Sequence, residues 1–295
     1  MPYLYLALIA QIINAGVVLL DKFLLTSKSV VRPLVYVFYV SMLSGVAIFI
    51  LPFGLILPPA AKIIWLSLAA GTAFTASIYF LYNSLFSADA SDVVPVVGAV
   101  SALATLFFSF LFLKISLSGN LLMGFLLLVA GTILMSYFRF DRRVTVYVLL
   151  AGLFFALSAV LVKIVFLNTT FWNGFFWSRL GNVAVVLPLL FWPANRRAIW
   201  QDTVTSSLNT KLLILISKFF AGVAFFLVLL SIKLGNVSLV SAITGVQFVF
   251  LLLFALVFTK KFPDYFYESV HHFHAVVQKI VAVVLIVLGY FLLFV

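Results

Sequence analysis

The sequence predicts an all-α polytopic membrane protein with about ten transmembrane helices in two inverted five-helix repeats. Three observations carry this: the composition, the length of the apolar runs, and a correspondence between the two halves. Of 295 residues, 66% are apolar and 8% charged, whereas a soluble domain is roughly half apolar and about a quarter charged. Eighteen Lys and Arg with seven Asp and Glu are too few to solvate the surface of a globule of this length. In lipid the outer surface is apolar and every backbone polar group must be bonded internally, which leaves helices and closed barrels. Barrel strands alternate apolar and polar residues over about ten positions. Here the runs are about twenty residues long and apolar on every side, so they read as helices. Cysteine is absent, which excludes disulfides, zinc–thiolate sites and thiol nucleophiles.

The spacing predicts helices over 3–25, 33–57, 63–86, 92–114, 119–138, 144–167, 171–192, 211–232, 237–259 and 275–295. The opening Met1-Pro2-Tyr3-Leu4-Tyr5 carries no basic segment, so the first run is expected to be a retained helix and not a cleaved signal. Breakers and charges fill the connections: Ser27-Lys28, Pro58-Pro59, Ser87-Ala88-Asp89, Ser118-Gly119, Asp141-Arg142-Arg143 and Gly235-Asn236. Most are short, which makes consecutive helices antiparallel neighbours. Two are longer: Pro193 to Thr210 is polar and basic, and Phe262 to His274 is aromatic and His-bearing, suited to the membrane interface. Tyr3, Trp65, Tyr137, Trp172, Trp192 and Trp200 bracket several spans, as aromatic residues do at headgroup depth.

The halves correspond in order. Asn14-Ala15 and Lys22 in the first helix match Phe155-Ala156 and Lys163 in the sixth at the same spacing. Gly45 with Leu51-Pro52 in the second matches Gly181 with Leu187-Pro188 in the seventh. Ser87 to Lys114 aligns without gaps on Lys233 to Lys260 with six identities, among them Val94/Val240, Phe108/Phe254 and Lys114/Lys260. Gly131 and Gly289 mark the fifth and tenth helices. These correspondences divide the chain into repeats at 1–140 and 141–295. Because each repeat has an odd number of helices, the second copy enters from the opposite face. That relates the halves by a pseudo-two-fold axis in the membrane plane.

With this layout the chain resembles the drug/metabolite transporter superfamily, in particular its EamA-type ten-helix exporters and permeases. The opening of the fourth helix, Ser87-Ala-Asp-Ala-Ser-Asp-Val-Val-Pro95, is similar to that family's run of small residues followed by proline. Ser178-Arg179-Leu180 is similar to its arginine-bearing helix. The chain departs from the family where Lys114-Ile115 and Lys260-Lys261 stand in place of a glutamate, and where Leu43 lies opposite Arg179. The resemblance implies a permease working by alternating access, with a substrate cavity walled by the first, third, fourth, sixth, eighth and ninth predicted helices.

Arg179 falls eight positions into its helix, about 12 Å deep at 1.5 Å per residue. An arginine near the bilayer centre costs at least ~2.5 kcal/mol on insertion scales, so it should face a wet cavity or a partner. A bond to backbone carbonyls or a loop carboxylate would be the purely structural alternative. Asn182 lies one turn on. Lys218 lies seven residues inside the eighth predicted helix, where its stem could also snorkel outward. Gln247 follows Thr244 on the ninth; Asn14 shares a face of the first with Gln11 and Asp21; Tyr79 and Tyr82 share one of the third with Thr72 and Thr75. Asn14, Tyr79, Tyr82, Arg179, Asn182, Lys218 and Gln247 are therefore the candidate substrate-binding residues, though such stripes equally line helix–helix contacts.

Every Asp and Glu maps near a helix end or loop, whereas the deep charges are cations. A proton-coupled exporter of cationic drugs would carry a central carboxylate. The expected solute is instead a small anionic or zwitterionic metabolite, held through paired hydrogen bonds by Arg179. The alternative is a membrane-embedded enzyme acting on a lipid-linked or interfacial substrate. Glu268, His271, His272 and His274 are its best constellation, and a solvated interfacial segment is the plainer reading of them. No cofactor, metal site or catalytic residue is expected, since no nucleophile elbow or phosphate-binding glycine loop is present.

The net charge of +11 is spread over short loops and suits anionic lipid headgroups, not nucleic acid. Expected partners are the metabolite and membrane lipids, with a homodimer as a further option, and the expected location is the inner membrane of the cell. Twelve basic residues flank the odd-numbered connections, from Lys22 to Lys279, and four the even-numbered ones: Lys62, Lys114, Lys163 and Lys233. The positive-inside rule thus puts both termini outside the cytoplasm, whereas the family resemblance implies both inside.

Overall fold

The computed structural model describes residues 1–26, 32–88, 90–136, 140–205, 207–259 and 273–294, and all regular structure among them is helical. The helices are α1 (Pro2–Thr26), α2 (Pro33–Leu43), α3 (Ala61–Ser87), α4 (Ala90–Phe108), α5 (Gly119–Leu134), α6 (Arg142–Asn168), α7 (Phe171–Val186), α8 (Pro193–Thr205), α9 (Leu208–Leu234), α10 (Val237–Ala242), α11 (Thr244–Thr259) and α12 (Phe273–Leu292). Polar residues at the ends of the apolar runs cap them. Asp141 accepts from the Val144 amide at 2.7 Å, Ser207 from Thr210 at 3.1 Å and Asn236 from Ser238 at 2.8 Å, satisfying donors left open by the first turn. Pro33 opens α2, where its missing N–H breaks no helical bond.

Among the described residues, eight helical stretches are long and apolar enough to cross a membrane, and Gly119–Leu134 and Val277–Leu292 are shorter apolar helices. Their outer surface is apolar too: Phe191 is 83% exposed, Phe53 75% and Trp65 72%. Such a belt is tolerable only against lipid, so the chain is an integral, multi-pass helical membrane protein.

The structure departs from the predicted helices in four places, two of them at a proline. The run expected to be one helix over 33–57 tightens after α2 into a 3₁₀ segment, Ser44–Phe53, and stops at Gly54 with φ 67°. The run after α7 tightens likewise at Leu187–Phe191 around Pro188. Proline supplies no amide to an i−4 carbonyl in either place. The expected helix over 237–259 breaks at Ile243 into α10 and α11. The stretch from Pro193, expected to be a connection, forms α8, whose Arg196, Arg197 and Trp200 line a pocket of about 400 Å³ beside Leu190. Of the Phe262 to His274 segment, residues 262–272, with Glu268, His271 and His272, lie outside the described residues.

Successive membrane helices alternate in direction. One end of the bundle gathers Tyr3, Lys62, Asn168 and Gly235; the other gathers Tyr147 and the last turns of α3, whose Phe80 ring meets Tyr147. These are called here the Tyr3 end and the Arg143 end. The main seams run between α3 and both α6 and α7, α4 and α6, α1 and both α9 and α11, and α5 and α12. At the α3–α7 seam the backbones touch, for a Cβ on Gly71 would stand 2.5 Å from the Gly181 carbonyl carbon. This contact fixes the stretch of α7 that holds Arg179. At the Tyr3 end two lysines cap each other's helices. Lys163 of α6 donates to the Ile232 and Gly235 carbonyls at 2.7 Å each, and Lys233 of α9 donates to those of Phe166 and, at 2.9 Å, Thr169. Each cation thus meets unbonded carbonyls at a helix C-terminus.

Candidate functional site

The polar residues singled out by sequence separate into three groups. The first lies on the α1–α11 seam beside the break at Ile243. Asn14 donates to Gln11 at 3.4 Å, and Gln11 to Thr244 at 3.5 Å. Gln247, 4% exposed, follows on α11 within one turn. These long hydrogen bonds bind α1 to the start of α11 and leave no charge there.

The second group is a buried ion pair that sequence reasoning did not foresee. Lys218 of α9 donates to both carboxylate oxygens of Asp21, at 2.8 and 2.7 Å. Tyr36 of α2 donates to Asp21 Oδ1 at 2.7 Å, Ser217 donates to it at 2.8 Å, and Tyr82 of α3 donates to Oδ2 at 3.3 Å. The ammonium also stands 4.5 Å from the centroid of the Tyr36 ring. Four helices therefore converge on one carboxylate. This corrects two expectations. Asp21, though near the end of α1, is a buried acid at 5% exposure, and Lys218 turns inward instead of snorkelling. Its charge is matched, so it offers no net attraction to a substrate anion.

The third group is built on Arg179, which is 7% exposed. Its guanidinium lies in a box of aromatic rings from three helices: 4.2 Å from the centroid of Phe225 on α9, 5.7 Å from Phe74 on α3 and 6.0 Å from Phe175 on α7. Cation–π attraction offsets part of its desolvation, yet none of these rings accepts a hydrogen bond as an oxygen does. Among the described residues no carboxylate pairs with Arg179, and its Nε has no hydrogen-bond partner. The neighbouring polar groups of α7 are engaged with partners other than Arg179. Ser178 donates to the Phe175 carbonyl at 2.9 Å, Trp177 Nε1 to Asn173 at 3.1 Å, and Asn182 to Ser44 at 3.4 Å. What remains is a buried, unpaired cation with a free planar fork.

Phe74 and Phe225 also pack edge to face, with centroids 5.3 Å apart, and Phe155 of α6 adds a third ring 6.1 Å from Phe74. Toward the Tyr3 end, Phe226 packs on Phe171, Trp172 and Phe175 and closes the gap between α7 and α9. Tyr79, by contrast, is 36% exposed and packs on Phe80. The structure thus brings Tyr82 and Lys218 together, whereas no hydrogen bond, ion pair or ring contact joins Arg179 to the other six candidates. Sequence reasoning missed Phe74, Phe175 and Phe225, for which the chain carries no distinguishing signal among 34 phenylalanines. An apolar groove of about 530 Å³ between α1, α9 and α11, lined by Ile13, Val17, Leu20, Leu213 and Phe220 among others, has no polar side chain among its described lining residues and suits hydrocarbon.

Comparison with known proteins places the architecture and nothing finer. No family's sequence model matches the chain, and no curated protein matches it by sequence. A protein of known crystal structure superposes with a TM-score of 0.62 over 96% of this chain and 97% of its own, at 18% identity. Nearly the whole chain, not a segment of it, therefore shares its fold with a protein seen in a crystal.

Proposed function

We propose that this protein is a transporter, a permease or exporter of a small anionic or zwitterionic metabolite, that works by alternating access. The observation that carries the reading is the guanidinium of Arg179, buried in a ring box where none of the described residues sets an anion against it. A buried cation left without a partner is costly. A ligand carboxylate docking on the fork would relieve that cost, which ties the protein's conformation to occupancy of the site.

The proposal extends to the architecture: ten crossings in two inverted five-helix repeats, 1–140 and 141–295, of the EamA type in the drug/metabolite transporter superfamily. Most of the main seams support it, although the α3–α7 seam has no counterpart of like extent between α9 and α2. Exchanging each helix for its counterpart turns the α1–α9 seam into the α6–α3 seam and the α1–α11 seam into the α6–α4 seam. The α5–α12 and α4–α11 contacts map onto themselves. The matching 3₁₀ endings of the second and seventh crossings, at Leu51-Pro52 and Leu187-Pro188, agree with the same exchange. Rocking of the halves would open the Arg179 box to one side and then the other. The inner membrane is the proposed location.

The test is solute exchange in vesicles. Purified protein reconstituted into liposomes preloaded with an unlabelled organic acid should accelerate saturable entry of the labelled acid well above empty liposomes. A panel of organic acids, amino acids and sugar phosphates that all cross no faster than in empty liposomes would overturn the transporter reading.

A further inference from the structure

Resting on that reading, we infer that the Arg179 box selects an organic monocarboxylate with an aromatic or other flat apolar body, and discriminates against amino acids and phosphate dianions. Three features of the box narrow the ligand. The first is the single unmatched charge. Lys218 is neutralised by Asp21 at 2.7 Å, so Arg179 balances one negative charge and a dianion would keep a second one buried and uncompensated. The second is the placement of acids. Among those described, Asp21 is taken up by Lys218, Asp141 caps α6 at the Arg143 end, Asp92 sits in the first turn of α4 at that same end, and Asp202 lies on α8, which follows α7 there. An α-ammonium group, held only a few ångströms from its own carboxylate, would therefore sit beside the guanidinium with no anion to offset the repulsion. The rings do not provide that offset, because the guanidinium already occupies them.

The third feature is the shape of what is left. The Phe225 ring, its centroid 4.2 Å from the guanidinium carbon, fills one side of the group, so the edge open to a carboxylate is the one that carries the unpartnered Nε. Two-pronged docking on the Nε edge leaves the body of the ligand among Phe74, Phe175 and Phe225. An aryl group packs edge to face with such rings, and a short polar body does not.

Matched ligands on the wild-type protein test this without relying on any variant. Phenylpyruvate, phenylalanine, phenyl phosphate and pyruvate are titrated against thermal unfolding of the purified protein and as competitors of labelled phenylpyruvate exchange. Phenylpyruvate should half-saturate at a concentration at least tenfold below each of the other three. Phe225→Leu should shrink its advantage over pyruvate while leaving the preference over phenyl phosphate. Equal potency of phenylalanine or phenyl phosphate would overturn the monoanion inference yet leave an anion site standing, and equal potency of pyruvate would overturn the aromatic body. No stabilisation and no competition by any of the four would count against the anion site itself.

Discussion

Lys218 and Asp21, 197 positions apart in the chain, meet as a two-pronged ion pair at 2.7 and 2.8 Å inside the bundle. The pair joins α1 to α9, and through Tyr36 and Tyr82 it draws in α2 and α3. Breaking such a pair leaves one buried charge uncompensated. Asp21→Asn or Lys218→Met alone should thus lower stability by about 3–5 kcal/mol. The double variant, with neither charge, should recover most of the loss. Unfolding of the detergent-solubilised protein measures both, and a double variant worse than either single one would contradict a simple ion pair.

The reciprocal caps at the Tyr3 end predict a second coupling. Lys163→Met removes donors from the Ile232 and Gly235 carbonyls, at about 1.5–3 kcal/mol for hydrogen bonds from a charged group. Amide exchange should accelerate first in the last turn of α9. Lys233→Met should do the same to the last turn of α6, where Phe166 and Thr169 lose their donor.

Gly71 and Gly181 set the distance between α3 and α7. Gly71→Val should push the seam apart and cost about 1–3 kcal/mol through overpacking. A Cβ at Gly222 on α9 would meet nothing within 4 Å, so Gly222→Ala should be neutral or slightly stabilising, since alanine is the better helix former. Equal losses at both sites would show that the seam is not the cause.

Much of this was legible in the sequence, and the gaps have physical reasons. Helix positions follow from runs of apolar residues, a local property, and the observed ends fall within a few residues of the predicted ones at α1, α3, α6 and α9. Breaks such as Ile243 escaped because the run from Val237 to Thr259 holds no proline to mark them, and the backbone at the break bonds locally, the Ile243 amide to the Leu239 carbonyl and the Val246 amide to the Ile243 carbonyl. Arg179 was found because a charge stands out in an apolar run. Its ring box and the Asp21 partner of Lys218 were not, since each depends on which distant helices become neighbours.

The placement of charge predicts orientation. Arg32, Arg142, Arg143, Arg196, Arg197 and Lys211 lie at the Arg143 end, against Lys62, Lys114, Lys163 and Lys233 at the Tyr3 end. The Arg143 end should therefore face the cytoplasm. Because the chain has no cysteine, single substitutions report cleanly. Ala194→Cys should be shielded in intact cells from an impermeant thiol reagent, and Ser118→Cys labelled. The reverse pattern would place the Tyr3 end inside.

The central claim is that Arg179 binds the substrate's anionic group, and Arg179→Lys tests it most directly. Lysine keeps the charge but loses the planar fork. The measurement is the rise in melting temperature of purified protein on saturation with phenylpyruvate, or with whichever acid the vesicles exchange. Wild type should be stabilised through linkage. Arg179→Lys should melt close to wild type without ligand, shift little with it, and bind at least tenfold more weakly. An equal ligand-induced shift and undiminished affinity in Arg179→Lys would contradict the account and remove Arg179 from the site.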